Sequence, residues 1–161
     1  MSKKEQFATI YEQHQAKVFR MCKGYFKGEE QTANDTVQEI FIKIWQHLES
    51  FRNDSQISTW IYRITVNCCL QHTRKSAIKR EIPMQELPDA VQVDYDPIVE
   101  EQLKKMYSCI GQLEATDRLI ITMILEAMDY DEIAKIIGIS ADTLRVRVHR
   151  IKKKLTNCVQ L

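Results

Sequence analysis

The chain has 161 residues, enough for one ordinary domain or two small ones, and its 44% of apolar residues can build cores while 28% of charged residues favour solubility. Only four Gly and three Pro are present, so turn formers are scarce and the composition predicts an all-α protein. The net charge of +1 excludes an overall attraction to polyanions, so any nucleic-acid binding must depend on how the charges are distributed.

Apolar residues at helical spacing predict three helices in the first half of the chain. The first covers about residues 4–26, and the second carries a core-facing apolar stripe over 37–48. The third covers about 58–79, and the stretch 57–80 holds five cations and no acid. At about 100° per residue, one strip of the third helix collects an aromatic ring, two amides and two guanidinium groups. This α3 strip consists of Trp60, Arg63, Asn67, Gln71 and Arg74.

The α3 strip has the composition that single-stranded nucleic acid requires. Rings stack on unpaired bases, cations follow the phosphate backbone, and an amide reads a base edge. Trp60 taken alone is more readily a core aromatic, whereas Asn67 in mid-helix is hard to justify structurally, because Asn is a modest helix former. For the basic block as a whole, a solvated helix face is the alternative interpretation.

Residues 81–97 contain all three prolines and five acids without a cation, and they show no sustained period. We therefore predict a flexible linker here, between an N-terminal helical bundle over 1–80 and a C-terminal domain over 98–161. The C-terminal domain is predicted to have four helices, over about 98–113, 117–127, 130–137 and 141–157.

The last two predicted helices have the spacing of a helix-turn-helix. Gly138 allows a left-handed turn, Ile139 fills the angle between the helices, and Ser140 is a natural N-cap for the last one. That helix exposes a basic face of the right size for a major groove. Its arginines at 145 and 150 suit guanine, and Thr143, Arg147 and Lys152 suit phosphates. A helical hairpin that packs against protein is the alternative.

The cysteine spacing, the N-terminus and the absence of catalytic motifs narrow the range of possible functions. The five cysteines are odd in number and form no C-x-x-C, so we predict reduced, mostly buried thiols and no zinc or other metal site. The N-terminus lacks a signal peptide, and the longest apolar run, 119–125, is too short to span a membrane, which predicts a cytoplasmic protein. There is no Gly-rich phosphate loop and no nucleophile motif, so we predict neither an enzyme nor a cofactor.

Two sets of motifs resemble one family. The segments NDTVQEIFIKIW (34–45), FRNDS (51–55) and TWIYRITVN (59–67) closely resemble region two of extracytoplasmic-function (ECF) sigma factors of bacterial RNA polymerase. The segments DEIAKIIGIS (131–140) and TLRVRVHR (143–150) resemble region four. The resemblance covers about residues 5–157 and implies a sigma factor that binds core RNA polymerase, selects promoters and melts them.

The resemblance also implies three sets of contacts. The docking face for the largest polymerase subunit would be Asp35, Gln38, Glu39 and Ile42. The unpaired minus-ten element and its flanks would contact Phe51, Asn53, Ser55, Ile57, Trp60, Arg63, Asn67, Arg74 and Lys75. The minus-thirty-five duplex would contact Thr143, Arg145, Val146, Arg147, His149, Arg150 and Lys153.

Partners and departures follow from the same resemblance. An anti-sigma protein, often membrane-bound in this family, is implied as an inhibitor, and no small-molecule substrate is implied. Glu114 stands where the family usually has proline, and Val146 occupies a position often filled by serine. The serious alternative is a stand-alone regulator whose C-terminal unit binds duplex DNA as a dimer, in which case symmetric half-sites are expected. A structural helical adaptor is a weaker alternative.

Overall fold

The computed structural model describes residues 1–52, 56–78 and 96–160, and these residues fold into seven α-helices with one short 3-10 turn after the second. The all-α prediction is confirmed. The predicted residues Asn53 and Ser55 and most of the predicted linker (81–95) lie outside the described residues. The helices are α1 (Lys3–Tyr25), α2 (Glu30–His47), α3 (Ile57–Ile78), α4 (Pro97–Gly111), α5 (Ala115–Leu125), α6 (Tyr130–Ile137) and α7 (Ala141–Gln160).

Local signals set the ends of these helices. Helix α1 begins with a capping box, in which the Ser2 hydroxyl accepts from the Glu5 N–H and the Glu5 carboxylate accepts from the Ser2 N–H. At α4, Asp96 caps the helix and Pro97 occupies its first turn, so the helix begins one residue earlier than predicted. Both positions had been predicted as linker.

The helix-turn-helix prediction is confirmed in its details. Gly138 ends α6 with a φ of 86°, a left-handed conformation that glycine adopts without steric cost. The Ser140 hydroxyl accepts a hydrogen bond from the Thr143 N–H at 3.1 Å and so caps α7. The predicted stripe of α7 is buried at Leu144, Val148 and Ile151. These contacts leave the basic side of α7 facing outward.

The cysteine prediction is wrong for one pair. Cys109 of α4 and Cys158 near the end of α7 form a disulfide across 49 positions, with Cα atoms 5.8 Å apart. The sequence concealed this pair because α4 and α7 are brought together only by tertiary packing. Cys22, Cys68 and Cys69 are free and buried, as predicted. The hydrogen bond with the neighbouring Cys22 thiol, together with burial, raises the pKa of Cys69, which keeps that thiol protonated.

The two halves share one continuous apolar core. Helix α1 packs on α5, and α3 packs on α6. Helix α1 approaches α5 so closely that a Cβ atom on Gly24 would lie 2.5 Å from Thr122 Cγ2. Arg118 of α5 places its guanidinium 4.6 Å from the centre of the Tyr25 ring of α1. The described residues therefore adopt a closed arrangement, in which the N-terminal and C-terminal helices bury each other.

Candidate nucleic-acid and protein interfaces

An apolar groove lies between α1 and α2 on the outside of the N-terminal half. It has a volume of about 470 Å³ and is lined by aromatic and aliphatic side chains together with Gln38 and Gln46. Ile42 is 56% exposed and Trp45 39% exposed at its edge, an unusual position for such large apolar groups. The other apolar residues of α2 are buried or half-buried, so Ile42 and Trp45 are the two that remain exposed on this helix.

The predicted docking face surrounds this groove. Gln38 and Ile42 line it, Asp35 is exposed one turn earlier on the same helix, and Glu39 pairs with Lys43 at 3.6 Å. The structure thus brings all four predicted residues to the outer surface of α2. Trp45 adds an aromatic ring, with the Lys3 ammonium 4.3 Å from its centre. An apolar centre with a polar rim is typical of a protein-binding surface.

The first turns of α3 bring two of the predicted base-contacting aromatics together. The Phe51 and Trp60 ring centres lie 5.0 Å apart, with both residues half-buried, and Ile57 is half-buried one turn before Trp60. Asn67 is exposed two turns beyond Trp60 on the same strip, about 10 Å along the helix. The sequence prediction of a mixed aromatic and amide strip therefore corresponds to a real surface.

The cations near this strip differ in their surroundings. Arg74 and Lys75 are exposed. Arg63 donates from Nε and Nη2 to the Lys135 carbonyl of α6, at 3.3 and 3.0 Å. Gln71, also on the strip, accepts from Lys43 Nζ at 3.1 Å. In the closed arrangement, one predicted DNA contact is thus bound to the C-terminal half, a contact that sequence reasoning had no means of finding.

A partly buried polar pair joins α1 and α3. His14 Nδ1 and the Tyr62 hydroxyl are 3.0 Å apart. Burial, followed by the carboxylates Glu132 and Glu126 of the C-terminal half, raises the pKa of Tyr62 to about 12. Burial and nearby Lys17 lower the pKa of His14. Both groups are therefore neutral near pH 7, which suits a partly buried contact.

The outward face of α7 carries the predicted duplex-reading residues. Thr143, Arg145, Val146, His149, Arg150 and Lys153 are all exposed. Arg145 pairs with Asp142 one turn earlier at 3.0 Å, but both side chains are largely in solvent. Val146 is 55% exposed, so its methyl groups are open to contact from outside. The structure brings these six side chains to one side of the helix.

Arg147 differs from its neighbours on α7. Its Nε donates to Asp117 Oδ1 at 2.6 Å, and the Asp117 side chain is only 9% exposed. The pair closes one side of a groove of about 530 Å³ between the start of α5 and α7, which we call the α7 groove. Glu114, Arg150 and Lys154 also line this groove. Sequence reasoning missed Asp117 and Lys154 as groove residues, because Asp117 lies 30 positions from its partner.

Within the described ranges, no group of three or more His, Cys, Asp or Glu side chains is arranged to hold a metal ion. Across the same residues, no helix combines the length and apolarity needed to span a bilayer.

Comparison with known proteins agrees with this geometry. The family model for Sigma-70 region 2 matches residues 10–78, and that for Sigma-70, region 4 matches residues 103–155. The ECF RNA polymerase sigma-E factor of Escherichia coli (strain K12) is 29% identical over 170 aligned positions, covering 96% of this chain and 86% of that protein. The sigma-E factor of Haemophilus influenzae is 27% identical, covering 98% of this chain and 89% of that protein.

Solved structures share the fold along nearly the whole chain. The sigma factor RpoE in complex with the anti-sigma factor NepR from Bartonella quintana has a TM-score of 0.78 at 19% identity, covering 98% of both chains. CnrH in complex with the cytosolic domain of CnrY has a TM-score of 0.74 at 20% identity, covering 98% of this chain and 89% of that one.

The matched regions include both the α1–α3 bundle and the helix-turn-helix, in the order that the sequence motifs predicted. The chain therefore belongs to the sigma-70 family, whose members are DNA-binding initiation factors rather than catalysts. Its relatives along nearly the full length are ECF factors, and it is an ECF sigma factor that binds core RNA polymerase and recognises promoters.

Proposed function

We propose that three surfaces divide the work of initiation in this chain, which acts in the cytoplasm without a catalytic step or cofactor of its own. The docking face on α2 binds core polymerase, the start of α3 with the α3 strip captures unpaired minus-ten bases, and the outer face of α7 reads the minus-thirty-five duplex. The observation that carries the proposal is the simultaneous exposure of an apolar groove, an aromatic–amide strip and a basic recognition helix on one chain.

The docking role rests on the apolar groove beside Ile42. Covering a large exposed aliphatic side chain removes its apolar surface from water, at roughly 25 cal/mol per Å². The neighbouring Gln38, Asp35 and Glu39 would supply a polar rim that fixes the orientation of the partner. An α-helix from the partner fits such a groove better than an extended peptide, because no sheet edge is present among the described residues.

We expect Ile42→Glu to weaken binding of the full-length chain to core polymerase at least about tenfold, or about 1.4 kcal/mol. The substitution would place a charge where the partner covers an apolar side chain, at a cost in desolvation. Binding is measured by fluorescence anisotropy of the labelled chain. Ile98→Glu on α4 is the matched control, since Ile98 is 66% exposed and lies outside the docking face. Equal losses in both variants would contradict the assignment.

Capture of unpaired bases rests on Phe51, Trp60 and Asn67. Stacking on an aromatic ring contributes about 1–3 kcal/mol per base, whereas each DNA stacking step lost costs about 1.4 kcal/mol on average. One or two captured bases can therefore nucleate melting but cannot complete it. The polymerase channel must supply the rest, with Arg74 and Lys75 holding the adjacent backbone. We accordingly expect little DNA binding by the free chain.

Asn67→Ala is expected to remove about 1–3 kcal/mol of discrimination at one minus-ten position, because the amide that reads that base edge is lost. Base preferences are measured by sequencing the transcripts from a promoter library with a randomised minus-ten element. Binding to core polymerase should stay unchanged. Asn157→Ala, an exposed asparagine on α7, serves as the control. A fall in polymerase binding with unaltered base preference would place Asn67 on the docking surface instead.

The upstream contact is assigned to Thr143, Arg145, Val146, His149, Arg150 and Lys153. Arg145 and Arg150 have the donor geometry for guanine, and Val146 offers an apolar contact for a thymine methyl group. An anti-sigma protein is the proposed inhibitor, by analogy with the sigma factor RpoE, which has a similar fold and was solved in complex with the anti-sigma factor NepR. Such a partner would compete for the docking face or the DNA-binding faces.

Promoter opening tests the proposed function as a whole. The purified chain is mixed with core polymerase and promoter DNA, and unpaired thymines are detected by permanganate. We expect reactive thymines near the start site only when both proteins are present. Specific duplex binding without polymerase, at symmetric half-sites, would instead favour the stand-alone regulator.

A further inference from the structure

We propose that Asp117 is a positioning residue that holds Arg147 inside the C-terminal half and keeps this cation off the DNA phosphates. The inference rests on the proposed role of α7 in binding duplex DNA, and it names the one arginine of the recognition helix that is withheld from the backbone. Arg147 would then orient α7 against α5 rather than add to non-specific affinity.

The geometry of the pair distinguishes it from an ordinary surface ion pair. Asp117 lies in the first turn of α5, where the positive end of the helix dipole favours a carboxylate. Its side chain is 9% exposed and accepts from Arg147 Nε at 2.6 Å. A charge-assisted hydrogen bond of this length is among the strong ones. A nearly buried carboxylate that lost its partner would be costly, so the pair resists exchange of Arg147 for a phosphate.

The other arginines of α7 behave differently. Arg145 also has a carboxylate partner, but its side chain is 60% exposed and that of Asp142 is 95% exposed. Water screens such a pair, so a phosphate can replace Asp142 at little cost. Arg150 is exposed at the α7 groove and has no ion-pair partner within the described part of the chain. Of the three arginines, only Arg147 has a nearly buried counter-charge.

A released Arg147 would change DNA binding in a recognisable way. Each cation that reaches a phosphate steepens the dependence of log K on log salt by about 0.9. Phosphate contacts carry no sequence information, so binding would tighten by about the same factor on every duplex, and the ratio of specific to non-specific affinity would stay the same. Asp117 would therefore lower the affinity of α7 for duplex DNA of any sequence by removing one phosphate contact, and base readout would be left to the other residues of the helix.

Asp117→Asn tests this inference, because it keeps the shape of the side chain and removes its charge. Holoenzyme assembled from core polymerase and the full chain is bound to a random-sequence duplex of about 30 base pairs, over about 50 to 200 mM salt. We expect the slope of log K against log salt to steepen by about 0.9. The affinity gain over the wild type is then about 3.5 times larger at the lower salt than at the higher.

Two controls distinguish loss of the Asp117–Arg147 ion pair from a change in the net charge of the α7 groove. Glu114→Gln removes one negative charge from the same groove at an exposed position and should leave the slope unchanged. In a chain that already carries Arg147→Gln, Asp117→Asn should also have no effect on the slope. Equal steepening in Asp117→Asn and Glu114→Gln would overturn the inference, since only the net charge of the groove would then matter.

A second variant keeps the inference testable if Asp117→Asn fails to fold. Arg147→Gln retains a donor for Asp117 and removes only the cation, so we expect an unchanged salt slope. A slope shallower by about 0.9 would show that Arg147 contacts phosphate in the wild type and would overturn the inference. The proposed function has a separate test: it is contradicted if wild-type holoenzyme opens no promoter. The salt slopes measure only duplex binding and therefore test only the role of Asp117.

Discussion

Reduction of the Cys109–Cys158 disulfide is expected to lower the free energy of unfolding of the chain by about 4 kcal/mol. The bond joins residues 49 positions apart, and closing a loop of that size in the unfolded chain removes about 14 cal/mol/K of entropy, or about 4 kcal/mol at room temperature. The bond also ties the end of α7 to α4, while Arg145 and Arg150, the proposed guanine-reading residues of α7, lie two turns or more before it. Its loss should therefore affect stability more than base contacts.

Urea unfolding followed by circular dichroism, with and without a phosphine reductant, measures this effect. The control is Cys158→Ser, which should have the stability of the reduced chain and should not respond to the reductant. Thiol titration in denaturant should count three thiols before reduction, those of Cys22, Cys68 and Cys69, and all five afterwards. Five thiols in the untreated chain, with identical unfolding midpoints, would contradict the prediction.

Local patterns predicted the helices well because those patterns act over short distances. The stripe of α7, the left-handed Gly138 and the Ser140 cap are each decided within one or two helical turns, and all three are confirmed. The exposure of Ile42 could also be anticipated, since the resemblance placed this residue on a docking face, whereas the groove beside it is a finding of the structure.

What the sequence could not predict depends on contacts between distant segments. The Cys109–Cys158 bond spans 49 positions, and the bonds of Arg63 to the Lys135 carbonyl span 72. Periodicity reports which face of a helix is apolar but not which other helix covers it. For the same reason periodicity could not predict the pair between Arg147 of α7 and the Asp117 carboxylate of α5, which lie 30 positions apart.

The closed arrangement has a consequence for initiation. The positions after which the minus-ten and minus-thirty-five elements are named lie about 25 base pairs apart, which is about 85 Å of B-DNA at about 34 Å per 10 base pairs. A compact chain of this length has a radius of gyration of about 15 Å. In the closed arrangement α3 packs on α6, and Arg63 is bonded to the C-terminal half. The two DNA-binding surfaces must therefore separate before one chain can contact both elements.

Gly24→Ala is expected to favour this separation. The added Cβ would lie 2.5 Å from Thr122 Cγ2, and Thr122 cannot easily turn aside, because its hydroxyl donates to the Leu119 carbonyl at 2.8 Å in a buried site. Overpacking of this kind costs about 1–3 kcal/mol. Alanine also improves the helix propensity of α1 by up to about 1 kcal/mol. Any destabilisation of the closed arrangement must therefore come from the contact between α1 and α5.

Small-angle X-ray scattering of the full chain measures the separation, and we expect the radius of gyration to rise above the compact value of about 15 Å. A protein binds its partner more tightly when more of it is in the binding-competent state. The affinity of the Gly24→Ala chain for core polymerase, and promoter opening at limiting sigma factor, should therefore rise as well. Thr122→Ser removes the clashing methyl group and keeps the hydroxyl, so the double variant Gly24→Ala with Thr122→Ser should regain the compact radius. A Gly24→Ala chain that stays compact and gains stability would show that α1 and α5 accommodate the extra carbon, and that this contact does not hold the two halves together.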